Sequence, residues 1–323
     1  MSMIVLTGGA GFIGSCLLSV LNQQGITDVL VVDSLGTGSK WKNLLGKSYV
    51  DLVSKELFRE MMHAPSDAMG EISAVIHMGA CSSTTERDAD YLFDNNFRYS
   101  VEVAEFAMQH NARFIYASSA ATYGDGDNGY SDGEFTLRPL NMYGYSKLLF
   151  DQWIIEEGLD TKCVGLKFFN VFGPNEYHKE SMASMVYKST LQIRATGKVS
   201  LFKSNSSEYA DGGQMRDFVY VKDACRTIMQ LLEDDTINGV FNLGTGIASS
   251  WNDMAAAVFN ALGVPPKIEY IDMPAELSHQ YQNFTQAEMS KLQKALPELR
   301  FGDLNSTIAD YVTEHLSSKW MYW

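Results

Sequence analysis

A phenol and an ammonium four residues apart offer the first chemistry in this chain. Asn141-Met142-Tyr143-Gly144-Tyr145-Ser146-Lys147 closes a Pro139-Leu140-Asn141 turn and precedes the apolar run Leu148, Leu149, Phe150. In a helix starting here, Tyr143 and Lys147 share one face, one above the other. A phenol near pKa ~10 is a weak base at neutral pH. A fixed positive charge beside it favours the phenolate, and Lys147 is expected to supply that charge. Taken alone, Tyr-x-x-x-Lys also fits a surface pair opening an ordinary helix, so the surrounding elements decide.

Those elements form a series of strands and helices. Met3-Ile4-Val5-Leu6-Thr7 reads as a buried strand, followed by a glycine turn and an apolar helix with Cys16, Leu17, Leu18 and Leu21. Gly9-x-Gly11-x-x-Gly14 fits a dinucleotide fingerprint: the chain turns sharply, backbone N–H groups approach the pyrophosphate, and the helix N-terminus faces its charge. A second strand over 28–33 ends in Asp33, 19 residues after Gly14, where an acidic side chain reaches the adenosine ribose. Asp33 alone favours NAD, whereas Ser34 with Lys40 and Lys55 would accommodate a 2′-phosphate. A third strand over 72–77 leads into Met78-Gly79-Ala80-Cys81-Ser82-Ser83, a loop at the carboxyl edge where ligands sit. His77 reads as structural. A long helix over 88–110 carries Asn95 and Asn96, either a brace for that loop or a solvated pair. The strand over 113–117 opens into Ser118 and Ser119, where a serine can hydrogen-bond a substrate hydroxyl. A strand over 163–169 follows the Tyr143 helix, and helices are expected at 251–262 and 304–315.

Composition narrows the function classes. Lys+Arg 25 against Asp+Glu 39 gives a net charge of −14, which argues against nucleic acid or an anionic membrane as partner. No apolar stretch approaches the ~18 residues of a membrane span. Cys16, Cys81, Cys163 and Cys225 form no C-x-x-C pair and, with no signal-like leader, read as reduced thiols of a cytoplasmic protein. The six histidines show no ligand spacing, so no protein-bound metal is expected. Trp320, Tyr322 and Trp323 suggest either a contact surface or aromatic residues closing a core.

Thr7-Gly8-Gly9-Ala10-Gly11-Phe12-Ile13-Gly14, Ser119 ahead of Tyr143-x-x-x-Lys147, and the strand order resemble the extended short-chain dehydrogenase/reductase family acting on nucleotide sugars. Within it, His178-Lys179-x-Ser181-Met182-Ala183-Ser184 is similar to the sugar-nucleotide 6-epimerases. So are Gly79-Ala80-Cys81-Ser82-Ser83-Thr84-Thr85-Glu86 and Ala117-Ser118-Ser119-Ala120-Ala121-Thr122-Tyr123-Gly124. Arg216-Asp217-Phe218-Val219-Tyr220-Val221, Phe241-Asn242-Leu243-Gly244-Thr245-Gly246 and Tyr281-Gln282-x-Phe284-Thr285-Gln286 extend the match over nearly the whole chain.

The resemblance implies an α/β fold, a doubly wound parallel Rossmann sheet with a smaller C-terminal substrate lobe. Residues 1–171 and 217–247 would form the dinucleotide-binding domain, and 172–216 and 248–323 the substrate domain. It implies an isomerase in which Tyr143 and Lys179 are the two acid/base groups and Ser119 and Lys147 support Tyr143. The cofactor would be NADP (NAD possible), tightly bound, one per subunit of a homo-oligomer. Gly8, Gly11, Phe12, Ile13, Gly14, Asp33, Ser34, Lys40, Lys55, Met78, Gly79, Ala80, Cys81, Ser82, Asn95, Lys147 and Val171 would contact it. Ser119, Asn170, Lys179, Ser181, Lys188, Phe202, Arg216 and Tyr281 would line the sugar-nucleotide site. Three departures stand out: Met78 replaces a frequent acid, Lys188 a common histidine, and 205–214 is longer than usual. Two alternatives remain open. A UDP-sugar 4-epimerase-like enzyme would let a ketone rotate and would not need Lys179. A non-catalytic dinucleotide-binding regulator would not need the intact Ser119, Tyr143, Lys147 and Lys179.

Overall fold

Short, nearly continuous apolar runs bounded by glycine and polar turns become strands buried on both faces, the pattern of a parallel sheet covered by helices. The computed structural model describes residues 2–63, 69–133, 136–274 and 281–323. Its main sheet has seven strands: β1 (Met3–Thr7), β2 (Val29–Val32), β3 (Asp51–Val53), β4 (Ile72–His77), β5 (Arg113–Ser119), β6 (Cys163–Phe168) and β10 (Gly239–Leu243). The order is β10-β6-β5-β4-β1-β2-β3, and every neighbouring pair is parallel. Side chains alternate across it: Ile4 and Leu6 enter one core layer and Val5 the other, as the two-residue strand period requires. Helices α1 (Phe12–Gln23) and α7 (Val221–Glu233) pack together on one face. Helices α2 (Lys55–Met62), α4 (Tyr99–Gln109) and α5 (Met142–Glu156) serve the other, around Phe58, Phe106, Phe114 and Phe150.

The chain leaves β1 for β2 and β3, then returns to place β4 on the other side of β1. This reversal opens a crevice beyond the carboxyl ends of β1 and β4. The expected helix over 88–110 is interrupted. α3 (Ala89–Leu92) passes into a wide π-helical turn, Phe93–Arg98, before α4, and such turns recur at functional sites. The helix expected over 304–315 likewise gives way after Leu304–Asp310 to a wide turn, Tyr311–Leu316.

Two smaller sheets flank the main one. β7 (Asn170–Phe172), β9 (Met215–Tyr220) and β11 (Ala248–Ser250) form one; β8 (Val199–Phe202) and β12 (Ile268–Ile271) form the other. Helices α6 (Met185–Thr196) and α8 (Trp251–Leu262) pack together there, and a Ser250/Asp253 capping box starts α8. Among the described residues no helix is long and apolar enough to cross a membrane, and no cluster of three or more His, Cys, Asp or Glu gathers.

Behind the end of β5 lies a buried ion pair. Lys167 Nζ is 2.6 Å from Asp151 Oδ2, with both side chains 4% exposed. Ser118 Oγ and Tyr116 Oη also donate to Asp151, at 2.7 and 3.1 Å. Removing one partner strands a buried charge, at a cost of about 3–5 kcal/mol. Asp151→Ala is therefore expected to lower denaturant stability by that amount, and adding Lys167→Met should recover part of it. An Asp151→Ala midpoint equal to wild type would show that the pair contributes nothing.

Candidate active site

The glycine turn between β1 and α1 is a cradle that side chains would fill. Gly8 sits at φ +68°, and a Cβ there would lie 2.6 Å from Gly79 N; a Cβ at Gly14 would lie 2.2 Å from Gly8 O. No side chain caps α1 and no acid occupies its first turn. Its first N–H groups therefore remain for an anion, and the helix dipole favours negative charge there.

From this turn a cavity of about 830 Å³ runs along the carboxyl edge of the sheet. All seventeen residues expected at the cofactor line it, from Gly8 through Lys147 to Val171, together with Ser119, Tyr143, Asn170 and Lys179. The other substrate-side residues are not part of its lining. The Arg216 guanidinium sits between the Trp251 and Tyr281 rings, 5.4 and 5.0 Å from their centroids. Trp251 lines the cavity and donates through Nε1 to Tyr281 Oη at 2.8 Å. Phe202 meets the Tyr281 ring edge-on. The long stretch before Arg216 closes on itself, Gly212 N donating to Phe202 O at 3.1 Å. Ser181 and Lys188 pair with each other, Lys188 Nζ donating to the Ser181 carbonyl at 3.1 Å, and neither lines the cavity.

Helix α5 begins at Asn141, whose side chain accepts from Gly144 N. It delivers Tyr143 to the cavity and buries Lys147 one turn on, with Nζ donating to Ala117 O at 2.8 Å. Strand alternation separates the two serines at the end of β5. Both line the cavity, but the Ser118 hydroxyl turns to Asp151, while Ser119 is the one that meets Tyr143. The electrostatics correct one expectation. Burial pushes the Tyr143 phenol above its ordinary value, Ser119 opposes this, and the neighbouring Lys147 does not reverse it. Burial lowers Lys147 itself to about 8, against the pull of Asp151. Thus the phenol is held protonated.

Lys179 arrives from the loop 173–184 between β7 and α6. Its Nζ donates to Ser82 Oγ at 3.2 Å, and burial lowers its pKa from the ordinary lysine value. Sequence reasoning missed Glu176, a buried carboxylate on the same loop. It accepts from Gly173 N at 3.2 Å and from Ser184 N and Oγ, and burial raises its pKa. Within the asparagine pair, Asn96 is the brace: it accepts from Cys81 N and donates to Cys81 O, both at 2.9 Å. Asn95 lines the cavity and accepts from Lys55 Nζ at 3.0 Å. His77 is structural, buried between Thr7 Oγ1 at 2.7 Å and Ser100 Oγ at 2.9 Å; burial lowers its pKa to about 3.

Residues 4–244 match the NAD dependent epimerase/dehydratase family, and the chain belongs to that family. It is similar to the ADP-L-glycero-D-manno-heptose-6-epimerase of Nitratidesulfovibrio vulgaris, 52% identical over 98% of either chain. The enzyme of the same name from Fusobacterium nucleatum is 43% identical over 99% of this chain and 100% of its own. Among solved structures, the Helicobacter pylori ADP-L-glycero-D-manno-heptose-6-epimerase superposes with a TM-score of 0.82 at 30% identity, covering 97% of this chain and 96% of that one.

The expectation of NADP is overturned. Similar solved enzymes whose cofactor is named hold NAD. They include the Thermus thermophilus UDP-glucose 4-epimerase (24% identity, TM-score 0.76, 97% and 99% coverage). The Bacillus cereus UDP-glucuronic acid 4-epimerase does so too (22%, TM-score 0.79, 97% and 99%). Local chemistry agrees. The Lys40 ammonium is tied to the Asp33 carboxylate, which also accepts from Ala10 N at 2.9 Å, and Lys55 is spent on Asn95. A carboxylate at the ribose suits a 2′-hydroxyl and repels a 2′-phosphate.

Proposed function

We propose that this chain interconverts ADP-D-glycero-D-manno-heptose and ADP-L-glycero-D-manno-heptose at C6, with bound NAD, in lipopolysaccharide core heptose synthesis. One observation carries the reading: Tyr143 on α5 and Lys179 on the separate loop 173–184 reach into a single cavity. No carbonyl adjoins the C6 carbinol to acidify its C–H bond. The nicotinamide, when bound, supplies a two-electron acceptor and donor at that carbon. The chain's own residues handle the proton on the oxygen. One group takes the hydroxyl proton and a second returns one after the carbon has changed face. Burial prepares them oppositely, keeping the phenol protonated and easing the lysine toward neutral. Either group then serves as acid or base according to direction.

Asp33 would hold the ribose, Gly8, Gly11 and Gly14 the pyrophosphate, and the 78–82 backbone braced by Asn96 the nicotinamide side. Arg216, with Phe202 and Tyr281, would approach the nucleotide end of the substrate, and Ser181 and Lys188 would contact it as well. The seven-stranded sheet supports a dinucleotide domain of 1–171 and 217–247, with 172–216 and 248–323 as the substrate lobe. Cys16, Cys163 and Cys225 are buried free thiols, which supports a cytoplasmic protein. Exposed Tyr91 and Tyr145 on the contacting helices α3 and α5 support a homo-oligomer, measurable by light scattering.

The test is direct. Purified protein is expected to release NAD on denaturation and to convert either ADP-heptose epimer into the same mixture, followed by NMR. Turnover of UDP-glucose with none of ADP-heptose would support the 4-epimerase alternative instead.

A further inference from the structure

The segment 321–323 has no part in the proton chemistry, yet it packs against the loop that carries Lys179. Tyr177 Oη donates to Met321 O at 2.6 Å. Trp323 N donates to Asn175 Oδ1 at 2.9 Å, and Asn175 Nδ2 donates back to Trp323 O at 2.8 Å. Lys47 Nζ donates to the same Trp323 carbonyl. Ring contacts reinforce these bonds. Tyr322 meets Tyr177 edge-on at 5.3 Å, and the Lys222 ammonium lies 5.4 Å from the Trp323 ring centroid.

The loop needs such support. Asn175 is fully buried at φ +73°, and Glu180, beside Lys179, has φ +48° and ψ −114°. Non-glycine residues persist in such regions only where the surroundings over-determine them. Asn175 also joins the loop to the glycine turn: Asn43 Nδ2 donates both to its carbonyl at 3.1 Å and to Ala10 O at 3.0 Å. Glu176 ties 173 to 184 and so fixes the two ends of the loop. The contacts from 321–323 fall between these ends, within four residues of Lys179.

We propose that residues 321–323 are a latch that positions Lys179, so that the loop 173–184 holds the ammonium at the cavity only while this segment is docked on Asn175 and Tyr177. The proposal rests on Lys179 being one of the two proton carriers. None of residues 321–323 lines the cavity, so the latch acts through the loop. Small displacements of a reacting group can cost about 10²-fold in rate.

Two variants of the full chain test it: removal of residues 321–323, and Tyr177→Phe, which deletes one hydroxyl and keeps the ring on Tyr187 and Tyr322. Removal is expected to lower kcat about 10–100-fold and Tyr177→Phe about 3–10-fold, with KM within about twofold and NAD content unchanged. Hydrogen exchange should accelerate in 173–184 while β1 to β6 stay protected. As Lys179 becomes hydrated, the acid limb of kcat should move up by about half a pH unit or more. Unchanged exchange in 173–184 in a folded variant overturns the latch. A loss of kcat with an unmoved acid limb also overturns it, because it marks a general structural role. If removal prevents folding, Tyr177→Phe decides alone. Full activity of Lys179→Met would remove the proton-carrier reading beneath it; with Lys179→Met inactive, unaltered latch variants would remove only the latch.

Discussion

Tyr143→Phe is expected to lower kcat about 10²–10⁴-fold, the range over which a positioned proton donor or acceptor acts, with NAD retained at the wild-type level. The substitution removes one oxygen and leaves the ring in place, so α5 and the Lys147–Ala117 contact persist. Ser119 loses its phenolic partner, and no group remains on that side to exchange a proton with the sugar oxygen. Both directions should fall together, because each half of the inversion needs one proton transfer on this side. Initial rates from either epimer, with NAD content measured on the same sample, give the answer. A variant within about threefold of wild type would remove Tyr143 from the chemistry.

Lys179→Met should cost a similar factor while preserving the apolar stem. Lys179→Arg should not rescue, since a guanidinium does not release its proton in the working pH range. The pH profile carries the more specific signature. Lys179 accepts a proton only when neutral, and burial sets its pKa below the ordinary lysine value. Wild-type kcat should therefore rise as pH climbs through that lowered value. Below it the lysine is charged and the rate is lost. Lys179→Met should abolish this acid limb and leave a flat, low profile. Full activity would favour the 4-epimerase alternative, in which the intermediate rotates and one base suffices.

Much of the scaffold was legible because burial on both faces leaves apolar runs: 3–7, 72–77 and 163–169 needed no more than their composition. β3 was not, since Asp51–Val53 is a three-residue edge strand with one exposed acid. The wide turn at Phe93–Arg98 was also invisible. The two asparagines were visible, but which one braced the loop depended on a helical pitch that no spacing records. Lys40 was read as a phosphate ligand because sequence shows a cation near Asp33 but not that the two pair. Tyr143 was expected to be tuned by its neighbouring charge, whereas its burial, a property of the assembled cavity, outweighs that effect. Glu176 and Asn175 were plain loop residues until partners up to 160 positions away met them. Local pattern encodes elements; the pairings that set charge and proton affinity are made by tertiary contacts.

The most direct measurement places deuterium at C6 of the ADP-heptose and follows both epimers by NMR during turnover in ordinary water. Inversion by removal and return of hydride, with Tyr143 and Lys179 moving only the oxygen's proton, keeps the label at C6 in both epimers through many turnovers. Washout of deuterium at the rate of epimerisation would mean that a base on the protein takes the C6 proton itself, contradicting the mechanism.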